Sequence, residues 1–125
     1  MSSRYRLLIV DDALDTLRSL AMMLSLEGYD VMTASSGMAA TVLLSEHVFD
    51  TIITDLRMPI VDGFEIARRT RALHPAASII VTSRFLDEKT LGWIHEMGIM
   101  GLEKPYNIHQ ISAVLREFQT TGAEI

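Results

Sequence analysis

Four short apolar runs in this chain each end in a residue that can do chemistry. Leu7-Leu8-Ile9-Val10 ends in Asp11-Asp12, and Thr51-Ile52-Ile53-Thr54 delivers Asp55. Ser78-Ile79-Ile80-Val81 ends in Thr82, and the stretch near Ile99 to Glu103 ends in Lys104-Pro105. Runs this short with no polar alternation read as strands buried on both faces. If the four lie parallel in one sheet, their carboxyl ends meet at one edge. Three carboxylates, a hydroxyl and an amine then share a site.

The segments between the strands have helical character. Leu14, Leu17, Leu20, Ala21 and Leu24 recur at helical spacing, so the pattern predicts a helix over 14–27, closed by Gly28. A strand is expected from Tyr29 to Ala34, and a second helix from Met38 to His47. After Asp55, Met58-Pro59 bars a helix and Asp62-Gly63 turns the chain, so 56–62 reads as a loop. A third helix, Gly63 to His74, stops at Pro75. A fourth is capped by Asp87 and closed by Gly98, with a core stripe of Leu91, Ile94 and Met97. Asn107 caps a fifth, which carries Ile108, Ile111, Val114, Leu115 and Phe118. Residues 120–125 lack periodicity and read as a tail or the start of a linker. Strands and helices alternating five times define a doubly wound parallel α/β sheet. Ligands in such sheets bind beyond the carboxyl ends of the strands.

With 125 residues, 49% of them hydrophobic and 22% charged, the chain is the size of one globular domain with a real core. No run suits a bilayer span or a signal segment, and cysteine is absent, which together fit a cytoplasmic setting. The net charge of −5 argues against direct nucleic-acid binding.

Three clustered carboxylates raise one another's pKa unless a cation offsets them. Mg²⁺ suits a site of one or two carboxylates, carbonyls and water. One such ion together with Lys104 would leave Asp11, Asp12 and Asp55 near neutrality. That pocket can accept a phosphoryl group on a carboxylate, giving an aspartyl phosphate at Asp55. Thr82 is placed to donate to a phosphoryl oxygen.

Val10-Asp11-Asp12, Asp55-Leu56-Arg57-Met58-Pro59 with Asp62-Gly63, Val81-Thr82-Ser83 and Lys104-Pro105-Tyr106 occur in this order. In these motifs the chain, from Arg4 to about Gln119, resembles the receiver domain of two-component response regulators. The resemblance implies a flavodoxin-like three-layer sandwich with strand order 2-1-3-4-5 and a receiver domain over 4–119. It implies that Asp55 takes phosphate from a sensor histidine kinase or phosphotransfer protein. Asp12 would bind Mg²⁺ directly, Asp11 largely through water, and the backbone carbonyl of Arg57 would be a further ligand. Thr82 would be the switch hydroxyl and Lys104 the phosphate-binding ammonium. Output would pass to a further domain or partner through the face of the fourth helix, fifth strand and fifth helix, where a homodimer could also form. A chain of this kind is a signalling domain and not a turnover enzyme.

The chain departs from the resemblance at Gly101, where receivers commonly carry Tyr or Phe, and in the register of the fourth helix. These departures favour a rival reading, an interaction module that works without phosphate. A haloacid-dehalogenase-type hydrolase is excluded, because Arg57 stands where its second Asp is needed. Arg57 and Arg84, each two residues beyond a site residue, would screen an acyl phosphate from water and slow its loss. Trp93 and Phe85 fit either partial burial or a partner surface. Met22 and Met23 read as core filler, and Arg68, Arg69 and Arg71 as a solvated helix face. The four histidines share no spacing that suggests a metal site. Pro105 is the one position where the resemblance suggests a cis bond.

Overall fold

A computed structural model describes residues 4–123, with side chains described through residue 120. Strands and helices alternate strictly along the chain. They are β1 Arg6–Val10, α1 Leu14–Leu26, β2 Asp30–Ala34, α2 Gly37–Glu46, β3 Thr51–Asp55, α3 Gly63–Leu73, β4 Ser78–Ser83, α4 Glu88–Met97, β5 Met100–Glu103 and α5 Ile108–Ala123. The strands form one parallel sheet in the order β2-β1-β3-β4-β5. This is the expected flavodoxin-like arrangement.

Alternation along each strand explains why the strand sequences are apolar throughout. Leu7, Ile9, Ile53 and Ile80 face α1 and α5, where they pack with Leu17, Leu20, Leu24, Ile111 and Leu115. Leu8, Val10 and Ile52 face the other way, onto Ala40 and Leu44 of α2 and Ile66 of α3. Ile79 and Val81 meet Ala67 and Ile94 on that same side. Every residue of β3 is buried, so its terminal Asp55 is held by a strand with no solvent-exposed face.

Caps fix the helix starts. Ser36, Asp62 and Asp87 each accept a hydrogen bond from a backbone N–H in the first turn of α2, α3 and α4. Gly98 closes α4 in the left-handed conformation, at φ 66°.

Several expectations are corrected. Helix α5 continues through Thr120 to Ala123, so most of the expected tail prolongs the last helix; residues 124–125 lie outside the described residues. Met22 and Met23 are exposed, because Leu17, Leu20 and Leu24 form the buried stripe of α1. Leu91 is exposed because α4 turns Thr90 and Ile94 inward. Trp93 is half-buried instead, its ring 4.7 Å from that of Phe64. Arg71 does not belong to a solvated face. Its guanidinium donates to the carbonyls of Ala77, Met97 and Gly98, tying the end of α4 to the β4 side of the sheet. Arg68 and Arg69 pair with Glu65 on the surface of α3. His74 bonds through Nε2 to the carbonyl of Leu44, linking α3 to α2.

Candidate functional site

Strand register brings the site together. Val10 pairs with Thr54 and Asp55 with Thr82, so Asp11 and Asp55 leave the sheet at adjacent strand ends with Thr82 beside Asp55. Ser83 pairs with Glu103, and the Lys104 N–H donates to the Ser83 carbonyl at 2.7 Å, which carries Lys104 to the same edge. The Lys104–Pro105 peptide bond is cis.

Asp11, Asp12 and Asp55 present carboxylate oxygens within 4.8 Å of one another. Asp12 is exposed, while Asp11 is 4% and Asp55 9% accessible. One oxygen of Asp11 accepts from the Ala13 N–H at the start of α1 (2.9 Å), and the other from Lys104 Nζ (3.1 Å). The same ammonium lies 3.5 Å from Asp55 Oδ2. Lys104 therefore bridges the two buried carboxylates, and Asp11 is held at both oxygens. Burial pushes the Asp55 carboxyl above its ordinary value; Lys104 opposes that rise, while the charges of Asp11 and Asp12 add to it. One ammonium for three carboxylates leaves an anionic, oxygen-lined pocket, which is donor chemistry that suits a hard divalent cation.

The β3–α3 loop closes one side. Gly63 packs so tightly on the backbone of Asp55 and Leu56 that no side chain would fit there, and its N–H donates to the Leu56 carbonyl. Arg57 points its guanidinium over the Phe64 ring, 5.3 Å from the centroid. Arg84 helps to line a cleft of about 640 Å³ between α1 and the loop after β5. Thr16, Ser19, Met23, Lys104 and Tyr106 help to line that cleft.

Two features beside the pocket carry no role in the sequence analysis. Tyr106 is set close enough to feel Asp11 and Asp55; burial and those charges push its hydroxyl up to about 12. Its place directly after Lys104-Pro105 was the available signal. Ile60 takes a left-handed backbone conformation, φ 69°, in the loop following Asp55. Nothing in an Ile side chain announces that.

At Gly101 the departure has a packing explanation. A Cβ there would come 2.8 Å from Ile94 Cδ1 and 3.5 Å from Leu86 Cδ1. Leu86 and Ile94 fill the space above the strand, and the Leu86 N–H is held by Glu103 at 3.1 Å.

Residues 7–116 match the family described as the response regulator receiver domain. The chain is 34% identical over 117 residues to a transcriptional regulatory protein CpxR homolog of Haemophilus influenzae, covering 89% of this chain and 50% of that protein. It spans half or less of the length of the curated relatives it first matches. A CheY-like receiver domain structure from Methanospirillum hungatei superposes with TM-score 0.90 at 22% identity, covering 98% of this chain and all of the other. A response regulator structure from Burkholderia pseudomallei, described as holding a phosphorylated aspartic acid, a calcium ion and citrate, superposes at 0.82 with 27% identity, over 95% of this chain and 71% of that one. With strand order and family match in agreement, the chain belongs to the receiver-domain family of two-component response regulators.

Proposed function

We propose that Asp55 is a phosphoacceptor, charged by a sensor histidine kinase or phosphotransfer protein, in a cytoplasmic signalling step. The observation that carries this is the ammonium of Lys104 set between Asp11 and Asp55 inside a three-carboxylate cluster. Phosphate on an aspartate in the Burkholderia relative supports it. An Asp55 carboxylate oxygen attacks the phosphorus of a phosphohistidine as the P–N bond breaks, and the released imidazole nitrogen keeps the bonding pair and takes up a proton. Lys104 meets the added negative charge with its ammonium, and Thr82 donates its hydroxyl to a phosphoryl oxygen. Asp11, Asp12, Asp55 and the backbone carbonyl of Arg57 would hold Mg²⁺, which supplies positive charge against the phosphoryl oxygens when bound. The signal leaves through α4, β5 and α5 to an output domain, a partner or a second copy; exposed Phe85 and Leu91 supply apolar contact there.

The test is intact mass after incubation with Mg²⁺ and a small acyl-phosphate donor. One added phosphoryl group on the wild type and none on Asp55→Ala is expected. A phosphate-independent interaction module is the second reading, favoured by the filled space at Gly101. Divalent-cation binding without any adduct would select it.

A further inference from the structure

The loop after the phosphoacceptor contains a residue that the fold does not ask for. Met58 is buried, Val61 packs its backbone carbonyl onto Gly37 so closely that no side chain fits there, and Gly63 is pressed on Asp55 and Leu56. Anchored on both sides, the chain passes through a left-handed conformation at residue 60. Glycine or asparagine takes that conformation with least strain, and a β-branched residue is among the worst suited. The sequence places Ile60 there, 89% exposed, so the strain is not repaid by burial within the domain. Other exposed apolar residues stand at the same carboxyl edge of the sheet. Met38 follows the Gly37 that meets Val61, Leu14 opens α1 just after the acidic pair, and both are exposed. Asp55 is recessed, so any protein delivering a phosphoryl group to it must cover this edge.

We infer that Ile60 is a specificity-determining contact for the phosphodonor protein, which would present an apolar surface around its phosphohistidine. This rests on the reading of Asp55 as phosphoacceptor. The strained conformation holds Ile60 outward as a fixed apolar anchor that needs little ordering when the donor docks. Residue 60 touches none of the reacting groups, so its role is in docking and not in the chemistry.

The test uses sensor-kinase domains from the source organism, each autophosphorylated with labelled ATP, and the one that transfers fastest to wild type. Ile60→Gly is expected to slow that transfer at least ten-fold, while the rate with a small acyl-phosphate donor stays at the wild-type value. Ile60→Val, which keeps an apolar branched side chain, should retain transfer. The Gly variant should also melt about 2–5 °C higher, as relief of strain outweighs the added freedom of its unfolded chain. Kinase transfer at the wild-type rate in Ile60→Gly would overturn the proposal, and so would an equal loss with both donors. Weakened self-association with transfer untouched would assign Ile60 to a second copy and overturn it too. Failure of wild type to accept phosphate from either donor would instead defeat the phosphoacceptor reading.

Discussion

The two sides of the sheet's carboxyl edge are built on different terms. Around the ends of β1 and β3, charge fixes the design: Lys104, brought over from the end of β5, contacts both Asp11 and Asp55, and Asp11 is also held by the Ala13 N–H. Between β5 and α4, volume does. Gly101 leaves a space that Ile94 and Leu86 fill, and α4 sits on the sheet through only two buried residues, Thr90 and Ile94. A charge cluster tolerates little change, because each member's protonation depends on the others. A packed space can be refilled from another element while strand register is kept. The contrast teaches that the charged pocket and the packed space under α4 in this domain answer to different physical constraints.

The largest expected effect is on the charged side. Lys104→Ala removes the bridging ammonium and should slow phosphorylation by a small acyl phosphate roughly 100-fold, measured as initial rate of adduct formation. Retention of the wild-type rate would show that the bridge is structural only.

The packed side should respond in stability. Gly101→Phe is expected to cost about 1–3 kcal/mol by overpacking against Ile94. Ile94→Ala alone should cost about 2–5 kcal/mol by leaving a cavity. Combined, they should cost clearly less than their sum in urea melts, since the new ring fills the space vacated. Additive costs would mean that Ile94 and position 101 do not share one volume.

Protonation gives a subtler contrast. Burial raises the folded-state pKa of Asp55 above its unfolded value, so the folded protein binds the proton more tightly. Stability from this group is therefore present at low pH and lost as pH rises through the raised value. Asp55→Asn should melt higher than wild type at pH 7, and the gap should close on acidification into the ordinary carboxylate range. Added Mg²⁺ should narrow it as well, by stabilising the wild type more. A gap that is constant with pH would place its origin outside this carboxyl group. The smallest effects belong to the arginines. Arg57→Ala and Arg84→Ala should each speed loss of the phosphoryl group roughly two- to five-fold, a change fitting one exposed charge.

How much of this was legible follows from the same contrast. Apolar runs bounded by Asp, Thr and Lys carry strand identity and site membership together, so the sheet and the residues at its edge could be read directly. Helix faces were less legible. Leu91 and the Met22-Met23 pair have the composition of core but fall on exposed faces, because rotation of a short helix is set by tertiary packing. Arg71 looked like surface charge, since nothing local shows that the carbonyls of Met97 and Gly98 come within its reach. Ile60 was invisible for another reason: its backbone, contrary to its own preference, lies in a loop held by Val61 against Gly37 and by Gly63 against Asp55 and Leu56.

The most direct measurement locates the phosphoryl group. Protein treated with Mg²⁺ and an acyl-phosphate donor is reduced with borohydride, which converts an aspartyl phosphate to homoserine, and its peptides are sequenced by mass spectrometry. The account predicts homoserine at position 55 and nowhere else, with its yield sharply reduced in Lys104→Ala. Homoserine at Asp11 or Asp12, or none at all in a protein shown to bind the cation, would contradict it.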